Sequence, residues 1–411
     1  MANLWWRRVV GALAASSVAL LSAVAQPALG HESSAGTLFG IVLSPAEVAA
    51  IDPAQGTVTP IADLRVAGFL APGFSTSMAS DPATHRLFLV RILFDFSTGV
   101  PVQINQLVTV STQSPFTVTS APLAHPITAL AFESSSGKLF GFTGECCPNQ
   151  IVSIDPSQGT LTHVADLVGF SFSRIAVDPS THLLYLASQS VGFPPSSQLV
   201  TVNTQAIDSV TYAAPVTPGV RSLVFDTSSN KLFGVTFFPP RFVQVDAVSG
   251  APTLLGNYYF GFFLEPGITI DSASHTVYFV QDVFDPTLPT GPVAHIAAVS
   301  DKSGAGVLGG STGSNFAGIA FEGVAITPES IKADVQNALA SGAITNPGVA
   351  NSLLAELNAA ASARSRGQCG SAANIYQAFI NEVTAQTGHD IAAATADRLL
   401  REAEFLIANC P

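Results

Sequence analysis

"SNFAGIAFEGVAITPES", residues 314–330, opens a structural unit and leaves it unfinished. Its first half repeats the wording of "ITALAFESSSGKLFG" (127–141), in which an apolar strand ends on an acid, turns, and continues as a second strand. After Glu322 no second strand follows. The chain runs instead into "ITPESIKADVQNAL" (326–339), where Thr-Pro offers a helix cap followed by proline at the first helical position. A repeat that starts and stops in this way asks where its missing strands are.

The same wording occurs six times. Asp81 (MASDPATHRLFL), Glu133, Asp178 (IAVDPSTHLLYL), Asp226 (LVFDTSSNKLFG), Asp271 (ITIDSASHTVYF) and Glu322 each close a short apolar strand, at separations of 45 to 52 residues. A second landmark recurs between them: "AAIDPAQGT" (49–57), "VTVSTQSPF", "VSIDPSQGT", "VTVNTQAID", "VQVDAVSGA" and "AAVSDKSGA" (297–305). Each unit therefore reads as four strands A to D, with tight A–B and C–D turns and freer B–C and D–A connections. Four short strands per repeat of this length predict a β-propeller blade. The first unit begins at "GTLFGIVL" (36–43) with strand B, and the last is a strand A alone. Together they predict an all-β, six-bladed propeller in which one blade is assembled from both ends of the repeat region.

Helical spacing takes over beyond residue 327. Leu353, Leu354, Leu357 and Ala361 form one apolar set; Ile375, Tyr376, Phe379, Ile380 and Val383 a second; Leu399, Leu400, Ala403, Leu406 and Ile407 a third. Asn346-Pro347 repeats the cap, and Gly367 and Gly388 punctuate turns. A small all-α bundle of about four helices is expected over 327–411.

The first thirty residues have a different character. Arg7 and Arg8 precede the apolar "GALAASSVALLSAVA", with small residues before possible cleavage points after Ala25 or Gly30. This is the pattern of a secretory signal peptide. The expected organisation is thus a signal peptide at 1–30, the propeller at 31–326 and the bundle at 327–411, in a secreted or periplasmic protein, with the export route open.

Composition narrows the partners. The chain carries 16 Lys+Arg against 28 Asp+Glu, a formal charge of −12, and the predicted leader contains two of those cations and no acid. Such a chain lacks the basic footprint that nucleic acid requires, and an anionic membrane surface would repel it. After the leader the longest apolar run, "YYFGFFL" (258–264), is far too short to span a bilayer. A monomer is expected.

The quoted helical segments carry a resemblance. "SGAITNPGVANSLLAELNAA" (341–360) with "AANIYQAFINEVTAQTGHDI" (372–391) resembles the FIMAH-type C-terminal module of exported bacterial proteins over about 80 residues. The name-giving segment reads Phe379-Ile380-Asn381-Glu382-Val383, departing in its second half. The resemblance implies an accessory, non-catalytic module and supplies no site residues. The strand–turn–strand texture of the repeats also resembles YVTN-like bacterial propellers, which bears on fold alone.

Four cysteines allow three pairings. Cys369 and Cys410 flank what would be antiparallel neighbouring helices, and a bridge between them is expected in an oxidising compartment. Cys146-Cys147 leaves three readings open: a vicinal disulfide clipping the loop "TGECCPNQ", two free thiols, or a redox element.

Several tempting motifs have plainer readings. An Asp before Pro-Ser or Ser-x at a two-strand turn caps backbone N–H groups through its side chain, so the six acids are read as turn caps and no metal or cofactor is assigned. His85, His182 and His275 share a turn position that Gly137 and Asn230 fill elsewhere, which predicts a left-handed backbone there. "GGSTG" (309–313) satisfies G-x-S-x-G, but a Gly/Ser-rich loop between the last strand D and the closing strand A is the wrong setting for a nucleophile elbow.

Any ligand is expected on the face of the B–C and D–A connections. The B–C segments of blades two, four and six are long ("RILFDFSTGVPVQIN", "SQSVGFPPSSQ", "QDVFDPTLPTGPVAH"), and Phe69, Phe74, Phe170, Phe172, Tyr258, Tyr259, Phe262 and Phe263 populate the D–A segments. His125, Arg174, Arg221 and Glu265, with Tyr259, are the candidate ligand-binding residues; Arg174 and Arg221 top adjacent A strands and suit an anionic or carbonyl-bearing ligand. No catalytic set stands out. The expected function is a binding scaffold for a small molecule, glycan or protein, the alternatives being a propeller lactonase, lyase or hydrolase at the axial channel and a structural surface or matrix protein.

Overall fold

A computed structural model describes residues 36–408, apart from 68, 70–71, 98, 145–148, 169–173, 190–195, 218, 237–240, 260–266, 284–292 and 324–326. The predicted leader, Cys146-Cys147, Glu265 and Cys410 lie outside the described residues.

Six four-stranded antiparallel sheets form the N-terminal part. Blade one holds β1 (Thr37–Val42), β2 (Glu47–Ile51) and β3 (Val58–Asp63). Blade two is β4 (Gly73–Asp81), β5 (Arg86–Asp95), β6 (Val102–Ser111) and β7 (Val118–Leu123). Blade three is β8 (Ala129–Glu133), β9 (Lys138–Phe142), β10 (Gln150–Ile154) and β11 (Leu161–Asp166). Blade four follows with β12 (Ala176–Asp178), β13 (Leu183–Gln189), β14 (Ser197–Asn203) and β15 (Val210–Tyr212). Blade five comprises β16 (Val220–Asp226), β17 (Lys231–Thr236), β18 (Arg241–Val245) and β19 (Pro252–Tyr259). Blade six comprises β20 (Ile268–Asp271), β21 (Thr276–Val283), β22 (Val293–Ser300) and β23 (Gly306–Ser311).

The unfinished repeat is β24 (Phe316–Glu322), and it completes blade one in the order β24-β1-β2-β3. Its register runs antiparallel to β1 from Thr37↔Glu322 to Val42↔Phe316, with a bulge at Ile41/Val42. Six strands A and six B–C–D sets thus close one ring.

Apolar clusters between successive blades hold the ring together. Ile41 and Val48 of blade one pack with Leu87 and Val108 of blade two, and the succession continues until Tyr278 and Ile296 of blade six meet Leu38 and Phe321 of blade one. A four-stranded sheet cannot cover both of its own faces, so each blade depends on two neighbours.

The A–B turns match their sequence reading. His85, His182, Asn230, Gly137 and His275 all have φ between 54° and 66°. The six acids are buried; the four aspartates cap turns through backbone N–H groups, whereas Glu133 and Glu322 meet the side chains of Ser136 and His182 and of His85 and Thr112 instead. Asp178 Oδ1 accepts from Ser180 N at 2.9 Å and Thr181 N at 3.3 Å, and Asp226 accepts from Ser228 N at 3.0 Å and Ser229 N at 3.1 Å.

Two expectations need correction. The supposed long loop of blade two is largely a hairpin, because β5 and β6 stay paired out to Asp95↔Val102. "GGSTG" is not a loop either: Gly309 to Ser311 end β23, which pairs with β22, and β24 follows after the turn at Gly313. No helix follows that serine, so the elbow geometry is absent there.

Helices α1 (Pro328–Ser341), α2 (Pro347–Ser365), α3 (Cys369–Gln386) and α4 (Ala393–Ala408) make up the C-terminal part. Thr327 forms a capping box with Ser330 ahead of Pro328, and Asn346 caps α2 ahead of Pro347. Leu353, Leu357, Tyr376, Phe379, Val383, Leu399 and Leu406 meet in a core separate from the interblade clusters. Among the described residues no helix is long and apolar enough to cross a membrane.

Candidate functional site

Strand parity puts the B–C and D–A connections on one face of the ring, the A–B and C–D turns on the other. The innermost strands of all six blades surround a cavity of about 170 Å³ on the axis. Ser77, Leu130, Arg174, Leu223, Thr269 and Ala320 represent the six blades in its wall. Much of the polar lining serves blade-to-blade contacts. Ser77 Oγ accepts from Leu130 N at 2.9 Å, Ser80 Oγ donates to Phe321 O at 2.8 Å, and Thr269 Oγ1 accepts from Phe321 N at 2.9 Å. These bonds satisfy strand edges that the propeller twist would otherwise leave open.

Arg174 is the charged residue of this wall among the described residues, only 8% exposed, separated from β12 by Ile175 alone. It therefore stands at the D–A end of the axial cavity and not on the outer rim. Arg221 sits near the start of β16, on the adjacent inner strand, and Tyr259 ends β19. His125 is exposed on the connection from β7 to β8. The structure thus brings the backbones of Arg174 and Arg221 to neighbouring inner strands, whereas His125 lies on a connection outside the axial wall.

Sequence reasoning missed a second buried guanidinium. Arg91 of β5 donates Nη1 to Leu64 O at 2.8 Å and Nη2 to Gln106 Oε1 at 2.7 Å, tying blade two to blade one. Burial pushes its pKa down from the ordinary arginine value. The β5–β6 hairpin beyond it exposes Phe94, Phe96, Val100 and Val102 on the loop face, Phe96 to 52%.

The opposite face carries pairings that no single repeat displays. His85 Nδ1 of blade two lies 2.8 Å from Glu322 Oε1 of blade one, and His182 Nδ1 of blade four lies 3.1 Å from Glu133 Oε1 of blade three. At the third such corner His275 Nδ1 of blade six lies 3.3 Å from both Asp226 Oδ2 of blade five and Asp301 Oδ2. Burial works to raise the Asp226 pKa, but hydrogen bonds from His275, Ser229 and Ser272 outweigh it and hold the carboxyl far below the ordinary range. The same contacts, with Asp226 foremost and Asp301 next, raise His275 to about 9. Burial first, then the neighbouring Asp226, pushes Asp301 upward. Asp226, His275 and Asp301 could hold a metal ion, as could the exposed group His163, Asp166 and Asp208.

Residues 328–408 match the FIMAH domain. No curated protein matches the chain. Among solved structures, a chain of the nidogen/laminin complex is similar with a TM-score of 0.51 at 14% identity, covering 70% of this chain and 98% of that one. TolB from Acinetobacter baumannii aligns with a TM-score of 0.48 at 13% identity, covering 70% of this chain and 67% of that one. At such identities the likeness is one of fold. Behind a six-bladed β-propeller, this chain carries a C-terminal segment that matches the FIMAH domain.

Proposed function

We propose that the protein is an extracytoplasmic binding scaffold that receives a protein or glycan on the face of the B–C and D–A connections. The observation that carries this reading is the β5–β6 hairpin, which presents Phe94, Phe96, Val100 and Val102 to solvent at the loop face. Apolar side chains left exposed together on a rigid support mark an interaction surface. Arg174, just ahead of β12, and Arg221 of β16 supply the cationic anchor, and His125, Glu265 and Tyr259 are further candidate contacts. The chain matched in the nidogen/laminin complex likewise comes from a protein–protein assembly.

An enzyme at the axial channel would need a general acid and base converging on one point. The described wall instead combines one guanidinium with apolar side chains and with hydroxyls already bonded to neighbouring blades. The rest of the organisation follows the export reading: a cleaved leader over residues 1–30, a propeller over 31–326, and an accessory helical module over 327–411 stapled by Cys369 and Cys410.

Binding of the purified protein to an immobilised panel of glycans and extracytoplasmic proteins tests the proposal. The double variant F94S/F96S should lose at least about 10-fold in affinity for whatever the wild type retains, about 1.4 kcal/mol, with an unchanged melting temperature. Equal retention of every ligand by the two proteins would rule this surface out.

A further inference from the structure

We propose that Asp226, Ser228, His275 and Asp301 form a site for one divalent transition metal, with zinc the best-fitting ion, at the junction of blades five and six.

The ring supplies its own controls. Three corners are built alike: Thr112 N, Thr204 N and Asp301 N donate to the carbonyls of His85, His182 and His275 at 2.9, 3.0 and 3.0 Å. At two corners the residue after strand C is threonine, whose hydroxyl meets the same carboxylate as the imidazole. Thr112 Oγ1 lies 3.0 Å from Glu322 Oε1, and Thr204 Oγ1 3.3 Å from Glu133 Oε1. Each of those corners balances one carboxylate against one imidazole. At the third corner "AAVSDKSGA" places Asp301 where the other two have threonine.

The result is a buried corner with a surplus carboxylate. Asp226 is 0%, Asp301 5% and His275 8% exposed. Burying an uncompensated charge costs several kcal/mol, and a cation would offset it. Asp301 Oδ1 is moreover buried without a hydrogen-bond partner; Glu322 Oε2 at the first control corner is unpartnered too, but no second carboxylate stands beside that imidazole.

Four of the six distances among the donor atoms suit a coordination shell, and the Asp226, His275 and Asp301 atoms all lie within 4.8 Å of one another. His275 Nδ1 lies 3.3 Å from Asp226 Oδ2, from Asp301 Oδ2 and from Ser228 Oγ, and Ser228 Oγ lies 2.9 Å from Asp226 Oδ2. A tetrahedron with edges of about 3.3 Å has its centre about 2.0 Å from each vertex, which is the length of Zn–N and Zn–O bonds. At the two control corners the imidazole faces a single carboxylate, at 2.8 and 3.1 Å, whereas His275 Nδ1 faces two, each at 3.3 Å. One imidazole with two carboxylates and a hydroxyl suits zinc or manganese, and offers too few oxygens for calcium. The ion would fasten blade five to blade six on the face opposite the proposed ligand surface, so its fate is independent of that reading.

Zinc content measures this directly. The purified protein is stripped with EDTA, desalted, titrated with Zn²⁺ against a chromophoric chelator, and assayed for bound metal and melting temperature. One zinc per chain and a raised melting temperature are expected. D301T, which installs the threonine of the other corners, should weaken binding at least 100-fold while remaining folded. H275N offers a second route, because Asn230 already occupies that left-handed turn position in blade five. D208N, aimed at the exposed His163 group, should keep the zinc. A wild type that holds substoichiometric zinc overturns the proposal, as does retention by both D301T and H275N or loss in D208N. If neither corner variant folds, the wild-type stoichiometry together with D208N decides.

Discussion

One turn residue in each of blades two, four and six performs two tasks. His182 adopts φ 59°, closing the A–B turn, while its Nδ1 reaches Glu133 of the preceding blade. The first task was legible, because Gly137 and Asn230 fill the same position and the three residue types share tolerance of a left-handed backbone. The second was not, since His182 and Glu133 stand 49 residues apart and nothing local marks them as partners. Separating the tasks is straightforward. His182→Asn keeps the turn and removes the imidazole from a fully buried carboxylate, which should cost about 1–3 kcal/mol. Urea denaturation would register this as a lower midpoint with an unchanged slope; a midpoint equal to wild type would mean that the pair adds nothing beyond the turn.

Elements show where local wording suffices and where packing decides. The caps Thr327-Pro328 and Asn346-Pro347 were readable because each device is contained within a few residues. The β5–β6 hairpin was not: residues 91–105 read as one long B–C segment, yet the two strands stay paired out to Asp95↔Val102. Candidate site residues fared differently again. Arg174 was visible as a rare cation, but its place in the axial wall comes from the ring, and Arg91 went unremarked although it is equally buried. Strand β9 illustrates tight packing. A Cβ on Gly141 would lie 2.8 Å from Ile127 Cγ2 and from Ile154 Cδ1, whereas the corresponding residue of β5 is Leu89. Gly141→Ala should therefore destabilise by about 1–3 kcal/mol through overpacking. A thermal melt unaffected by the methyl would show that β9 and its neighbours have room to shift.

At the scale of the molecule, odd and even blades differ and their interfaces alternate. Acid–imidazole contacts join blade one to two, three to four and five to six. Stacked aromatics join the remaining interfaces: Phe88 with Phe132 at 5.8 Å, Tyr185 with Phe225 at 6.0 Å, and Tyr278 with Phe321 at 5.7 Å between ring centroids. The ring is in effect three double blades, and the difference was already present in the wording, LFG in odd strands B against LFL, LYL and VYF in even ones. Phe321 and Glu322 serve both kinds of interface for blade one, and both belong to β24. Closure by that strand is therefore the central structural claim, and two shortened chains test it. Far-ultraviolet circular dichroism during heating should show one cooperative β-sheet transition for a chain ended after residue 326, which keeps β24 and omits the helices. A chain ended after residue 315 should show none. A cooperative transition at the same temperature in both would contradict closure by residues 316–322.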